Sequence, residues 1–392
     1  MRTSTDWPSP ARSGLMGHLP RWGNDALGLV EDGGRVGRIF ELQLWRKALV
    51  GYSPQWNRLI LGDLARFPSR GGLSQLSPYL RGGVVSTEAP EHRKRREALN
   101  PEFHRRAVAR FGDRFADLVA KSHPSGRFDA RTWSSAMVRT MLSAAFFGGS
   151  VPRSVLDDFL EPLDGTLPGP LIPRPLRMRR MSAAIERALR KPDPDSLAPV
   201  FAVQPDPVRE ARVALAAAYD TTAHTLAFAL WELAGCPDLL RTSPVERVVQ
   251  EALRLYPAGW IGSRVAAVDT VFEGRVIPAG RLVLYSPYLT HRDPELWPDP
   301  TVFRPERFSD PVPAWGYLPF AAGERTCLGS GLATLMLGTA IAGLADCHLT
   351  RVSTRLDVRG VVTLTPAAPI MLERRTVPAG RFPGEPTRGG PS

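Results

Sequence analysis

Three cysteines in 392 residues, Cys236, Cys327 and Cys347, are too few and too irregularly spaced for a disulfide framework. A reducing, cytoplasmic compartment is therefore expected. No uninterrupted apolar span reaches the ~18 residues of a membrane helix, and the opening Met1-Arg-Thr-Ser-Thr-Asp-Trp-Pro has no apolar core of the signal-peptide kind. Association with a membrane is thus not expected. Acidic residues are the scarcer charge, 39 against 50 Lys and Arg, which leaves a net charge of +11. The basic excess is densest at His92-Arg-Lys-Arg-Arg96, with Arg105, Arg106 and Arg110 close behind. Because no aromatics interleave with it and no recognition motif accompanies it, nucleic-acid binding is not expected. The cluster reads as a solvated helix face or as a surface that steers an acidic partner.

Proline, by contrast, is abundant at 38 residues beside 35 glycines, so many ordered loops and helix breaks are expected. Hydrophobic residues make up 43% of the chain, enough for a sizeable core. The patterning is mostly helical: 25–31, 55–66, 91–118 with a break near Asn100-Pro101, 130–148, 152–163, 177–191, 208–235 and 244–256. Strands are expected over 37–44 and 47–52, and again over 271–280 and 281–285 around a Pro-Ala-Gly turn. Residues 70–90, with two Gly-Gly pairs, read as a long loop of the kind that usually serves function. The chain divides into an N-terminal segment 1–24, one large mainly helical domain with a small β-region over 25–378, and a Gly- and Pro-rich tail 379–392.

Two stretches carry chemistry. Phe320-Ala-Ala-Gly-Glu-Arg-Thr-Cys-Leu-Gly329 places Cys327 where a loop enters the apolar run 330–345. A thiolate there gains from free backbone N–H groups and the helix dipole, so it suits a metal. Gly323 and Gly329 permit unusual backbone angles or the approach of a flat ligand, Phe320 can screen the sulfur, and Arg325 can hold a carboxylate. The other stretch lies mid-way along 208–235, which is apolar around most of its circumference and must be buried. Within it stand Tyr219-Asp220-Thr221-Thr222, and polar groups buried there must be paired or at work.

The Cys327 stretch resembles the heme-binding loop of the cytochrome P450 family, Phe-x-x-Gly-x-Arg-x-Cys-x-Gly, at every fixed position. The resemblance runs from about residue 25 to 375 and implies the P450 fold, with heme b held by the Cys327 thiolate. His92 and Arg96, four apart on one helix face, and Arg264 would bind the propionates with Arg325. Asp220 would relay protons and Thr221 would handle bound oxygen; the departure is Ala218, where the pattern usually has glycine. His224 reads as a packed polar residue, and His291 as either a structural histidine or a further contact near the heme edge. Glu251, Arg254 and Arg307 would interlock as a structural triad behind the cysteine loop.

The function so implied is a bacterial-type monooxygenase, monomeric, that activates O2 to hydroxylate or epoxidise a lipophilic small molecule in secondary metabolism. No flavin or iron–sulfur segment is left over, so a ferredoxin-like donor and a separate NAD(P)H-dependent reductase are implied, with Arg93 and Arg95 at the docking face. Direct use of peroxide, oxidative coupling of aromatic rings in a peptide, and a non-catalytic heme sensor are the alternatives. Pocket walls are expected from 70–90, 160–180, 214–218, 258–263 and 367–370, and the region of the 168–175 link and the 177–191 helix, which the resemblance implies is a lid, is short enough to leave an open mouth.

Overall fold

The computed structural model describes residues 7–69, 77–165, 169–236 and 238–376. The expected glycine pair Gly71-Gly72 and the tail 379–392 lie outside the described residues. Helix α1 (Leu19–Val36) is longer than the sequence pattern suggests, since a non-helical residue, Asp25, divides it into two runs. Strands β1 (Ile39–Gln43) and β2 (Lys47–Gly51) follow as an antiparallel hairpin. Ser53 caps α2 (Pro54–Gly62), its hydroxyl accepting from Trp56 N–H at 3.2 Å.

The expected break near Pro101 falls slightly later. Helix α3 (Glu91–Phe103) contains Pro101 and ends two residues beyond it, and extended His104 then caps the short α4 (Arg105–Val108) by accepting from Arg106 N–H. After α5 (Gly112–Ala120) and β3 (Gly126–Asp129), Asp129 caps α6 (Ala130–Phe147), which Gly148 stops in the left-handed conformation. Helices α7 (Arg153–Leu160), α8 (Pro175–Arg190) and α9 (Ala198–Ala202) lead to the centre of the molecule.

That centre is α10 (Pro207–Gly235), a single 29-residue helix capped by Asp206 and packed against α6, α8 and α9. It is buried on nearly every side because its sequence is apolar on nearly every side. Beyond α11 (Leu239–Thr242) and α12 (Val245–Leu255), strand β4 (Gly262–Val265) enters the main sheet. The stretch expected as one strand over 271–280 is instead a hairpin of its own, β5 (Thr270–Phe272) and β6 (Arg275–Ile277), turning at Glu273-Gly274 with both residues at positive φ. Strand β7 (Leu282–Tyr285) belongs to a different sheet, of order β1-β2-β7-β4, where it runs parallel to β2 and pairs Val283 with Arg264.

The chain closes with α13 (Pro287–Thr290), α14 (Ser330–Ala342), β8 (Cys347–Arg351), β9 (Val358–Gly360), β10 (Leu364–Pro366) and β11 (Met371–Thr376). Helices thus form the body and several small sheets its margin, as in the P450 fold. One continuous hydrophobic cluster joins α1, α6, α10, α12 and α14, and a smaller one lies beneath the main sheet around Trp56 and Ile60.

Candidate heme site

A cavity of about 390 Å³ lies between α10 and the Cys327 loop, walled at the sides by α3, β4 and α14. From α10 it takes Ala214, Ala217, Ala218, Thr221, Thr222 and Thr225; from the loop it takes Phe320, Arg325, Cys327 and Gly329. His92, Arg96 and Arg264 complete its polar rim. Of the expected walls, Val84, Val85, Ala258 and Ile261 do line it, whereas among the described residues neither 160–180 nor 367–370 contributes. The start of the 160–180 stretch is tied down elsewhere: Asp164 accepts from the Tyr219 hydroxyl through both carboxylate oxygens at 2.7 Å and pairs with Arg139 of α6.

The loop geometry explains its glycines. Gly323 sits at φ +73°, and a Cβ there would meet Leu61 O at 2.2 Å, so no other residue fits without moving α2. Gly329 has neither problem: a Cβ on it would meet no protein atom within 4 Å and would project into open space at the cavity wall. The Cys327 N–H donates to Phe320 O at 2.9 Å, which closes the loop. Although Cys327 is exposed to the cavity, its position inside the protein, away from bulk water, pushes the thiol's pKa up, opposed by the Gly329 N–H at the start of α14 and by the Arg96 charge.

Behind the loop, Glu251 and Arg254 join through bonds of 2.7 and 2.8 Å with both side chains fully buried, and Arg307 Nε donates to Glu251 at 3.0 Å. Arg254 also donates to the carbonyls of His291 and Pro300 at 2.7 Å each. His291 therefore takes the structural of its two readings. Its Nδ1 meets Arg254 O at 3.0 Å and its Nε2 accepts from Leu318 N–H at 2.7 Å, two residues before Phe320.

The cationic rim carries unused donors. His92 Nδ1, Arg264 Nε and Arg325 Nε are buried without a hydrogen-bond partner. Arg325 donates to Thr87 O at 2.6 Å and pairs with Glu88 at 3.4 Å, while Arg96 donates to Thr326 O at 2.8 Å. Burial, with the Arg325 and Arg96 charges, pushes the His92 pKa down to about 4, so the ring is neutral and donates from one nitrogen. Leaving such donors unpaired is costly, and an anionic ligand edge would satisfy them. A sulfur on one wall, a glycine gap beside it, an apolar body and unpartnered donors at one rim fit heme with its two propionates.

On α10 the Thr221 hydroxyl donates to Ala217 O at 2.9 Å, one turn back, while its side chain lines the cavity. Asp220 is placed otherwise: it is buried, is not among the lining residues, and accepts from the hydroxyl of Thr363 at 3.2 Å. Thr363 carried no signal in the sequence, being 143 residues away in an unremarkable turn. Glu210 was equally silent; buried near the start of α10, it accepts from Val84 N–H at 2.7 Å and from Arg95 at 3.1 Å. It thereby fixes the loop that supplies Val84 and Val85 to the cavity.

Comparison with known proteins agrees with this geometry. The family model described as Cytochrome P450 matches residues 244–344, the span from α12 through α14 that holds the Glu251 triad and Cys327. Cytochrome P450 3A40 of Oryzias latipes is 34% identical over 42% of this chain, and cytochrome P450 3A13 of Mus musculus is 32% identical over the same share. The match spans only 39% of the length of each of these two relatives. A bacterial relative, cyclooctat-9-en-7-ol 5-monooxygenase of Streptomyces melanosporofaciens, is 25% identical over 88% of this chain and 89% of its own length. The part of the chain that holds the Cys327 loop and its buried triad is thus similar to cytochrome P450 proteins, a family whose members bind heme b through a cysteine thiolate.

Proposed function

We propose that this protein is a heme-thiolate monooxygenase that hydroxylates or epoxidises a lipophilic small molecule. The observation that carries this reading is that Cys327 and Thr221 open onto one cavity with the unpartnered donors of His92, Arg264 and Arg325 at its rim. Heme on a thiolate supplies oxygen activation and the oxidation of unreactive C–H and C=C bonds. Cys327 would be the iron ligand; His92, Arg96, Arg264 and Arg325 would hold the propionates, and Gly329 would leave room for the ring edge. Thr221 would supply a hydroxyl on the cavity wall, and Asp220 would supply protons. The Glu251, Arg254 and Arg307 triad holds the loop and touches no reactant.

A lipophilic substrate is favoured by the apolar cavity wall of Val84, Val85, Ala214, Ala218 and Ile261. The streptomycete relative, whose name gives cyclooctat-9-en-7-ol as its substrate, is consistent with secondary metabolism as the setting. Electrons would come from a ferredoxin-like protein and its reductase. Arg93 and Arg95 are poor candidates for the docking contacts, because Arg93 pairs with Glu324 at 2.9 Å and Arg95 with the buried Glu210. Lys94, Arg105 and Arg106 are the exposed basic residues beside them.

The absorption spectrum of the reduced protein with carbon monoxide tests the reading. A Soret band well to the red of a histidine-ligated heme is expected; folded protein without heme, or with a histidine-type band, would overturn it.

A further inference from the structure

Asp220 stands one residue before Thr221, yet two neighbours hold its carboxyl off the cavity. Oδ1 accepts from the Thr221 N–H at 2.9 Å and Oδ2 from the Thr363 hydroxyl at 3.2 Å. Thr363, itself 5% exposed, occupies the turn between β9 and β10 and has little freedom. Val361 N–H donates to its carbonyl at 3.0 Å, the Thr365 hydroxyl to the same carbonyl at 3.2 Å, and Leu364 N–H to Ala258 O at 3.1 Å. With the Thr363 proton committed to Asp220, a lone pair of that hydroxyl faces His224 Nδ1 at 3.4 Å, so Nδ1 is the ring nitrogen that carries hydrogen. Threonine thus sits between an acid and a histidine, one turn apart on α10.

The surrounding charges give the carboxylate no help. Asp164, in the segment after α7, acts on Asp220 and is of like sign; Arg131 of α6 acts on His224 and keeps that ring neutral together with burial. Burial favours the protonated acid, the Thr363 hydroxyl and the Thr221 N–H favour the carboxylate, and the balance pushes the Asp220 pKa up to about 7. A relay group must exist in both forms, and here the Thr363 hydroxyl is a side-chain hydrogen bond that supports the charged one.

We propose that Thr363 is a positioning residue for proton delivery: its hydroxyl, backed by His224, fixes the Asp220 carboxyl and stabilises the carboxylate left after each transfer. Each transfer leaves the acid as the carboxylate held by Thr363, and its next proton comes ultimately from solvent. This rests on the oxygen-activating reading of the site and adds to it a residue that touches neither cofactor nor substrate.

Infrared titration of the full-length protein tests it, following the carboxylic acid C=O stretch that Asp220→Asn removes. In Thr363→Val the midpoint of that band moves up by about one unit, the worth of one hydrogen bond to a buried carboxylate. Thr363→Ser returns it toward the wild-type value. During turnover with a reductase system, Thr363→Val consumes reductant but releases hydrogen peroxide in place of product, with heme content unchanged. Thr363→Ala, which also lacks the hydroxyl, serves if the valine variant does not fold. An unmoved midpoint in protein showing the thiolate spectrum overturns the role of Thr363 alone, as does a serine variant that behaves like valine. A missing thiolate spectrum overturns the monooxygenase reading and the proposal with it.

Discussion

Glu251 and Arg254, one turn apart on α12, form a two-bond pair whose side chains are both fully shielded from solvent, with Arg307 as a second cation on the same carboxylate. A pair of this kind contributes little relative to an apolar replacement, but losing one member strands a buried charge. Arg254→Leu is therefore expected to destabilise the protein by about 3–5 kcal/mol, and Glu251→Leu similarly. The double replacement should cost less than the sum of the two, because neither charge is left alone. Thermal unfolding of the three variants checks this; strict additivity would mean that the pair is not coupled.

Cys327→Ser should leave the fold nearly intact, since the Sγ opens onto the cavity and the loop is closed by the backbone bond from Cys327 N–H to Phe320 O. The melting temperature without heme should stay within a few degrees of wild type, while the thiolate-type carbon monoxide band disappears. Retention of that band in the serine variant would assign the sulfur ligand elsewhere, to Cys236 or Cys347.

Thr221→Ala removes the hydroxyl that donates to Ala217 O while keeping the apolar wall. Oxygen and reductant should still be consumed, with hydrogen peroxide replacing product and coupling falling by about ten- to a hundredfold if proton delivery depends on this group. Product per reductant oxidised is the measurement, and unchanged coupling would remove Thr221 from the mechanism.

What the sequence made legible was local or periodic. The run 208–235 stands out because it is apolar around its circumference, and the structure has α10 at Pro207–Gly235. The Cys327 loop stands out because glycine, arginine and cysteine fall at fixed short spacings. Long-range pairing left no trace: Thr363 meets Asp220, and Glu210 meets Arg95 and Val84, through contacts more than a hundred residues apart in the chain. The basic run 92–96 also misled. As a string it reads as one charged face, but the helix turns Arg93 to Glu324 and Arg95 to buried Glu210, so neighbours in sequence have different tasks. The hairpin of β5 and β6 was missed because each strand has only three residues, too few to show alternation.

That division of labour changes which charge reversals are informative. Arg95→Glu would set a new carboxylate against Glu210, which has 1% of its surface exposed, and should destabilise the fold and the loop at Val84. Lys94→Glu with Arg106→Glu, both at exposed positions, should leave the melting temperature within about 2 °C. If a ferredoxin-like donor docks here, the pair should slow electron transfer several-fold at low salt and flatten its salt dependence. An unaffected rate would place the docking face elsewhere.

His291 makes the cysteine loop acid-sensitive. Its Nε2 accepts from Leu318 N–H and its Nδ1 donates to Arg254 O, an arrangement that only the neutral ring can satisfy. Burial pushes its pKa down to about 3, and the Arg254 and Arg292 charges act in the same direction. A histidine with a folded value below its unfolded one contributes stability that is fully present above about pH 6.5 and is lost as pH falls toward the folded value. At pH 5.5 the loss from His291 alone is about 1.4 kcal/mol. His92 and His224 are depressed as well, to about 4 and about 3, and add losses of the same sign. His291→Gln should be less stable than wild type at pH 7.5, having lost one or both bonds. Between pH 7.5 and 5.5, however, it should lose about 1.4 kcal/mol less than wild type does, because the titrating ring is gone. Urea unfolding of heme-free wild type and variant at the two pH values measures the difference. Parallel losses would mean that His291 does not take up a proton differently in the folded and unfolded chain over this range, and would leave the acid response to other groups such as His92 and His224.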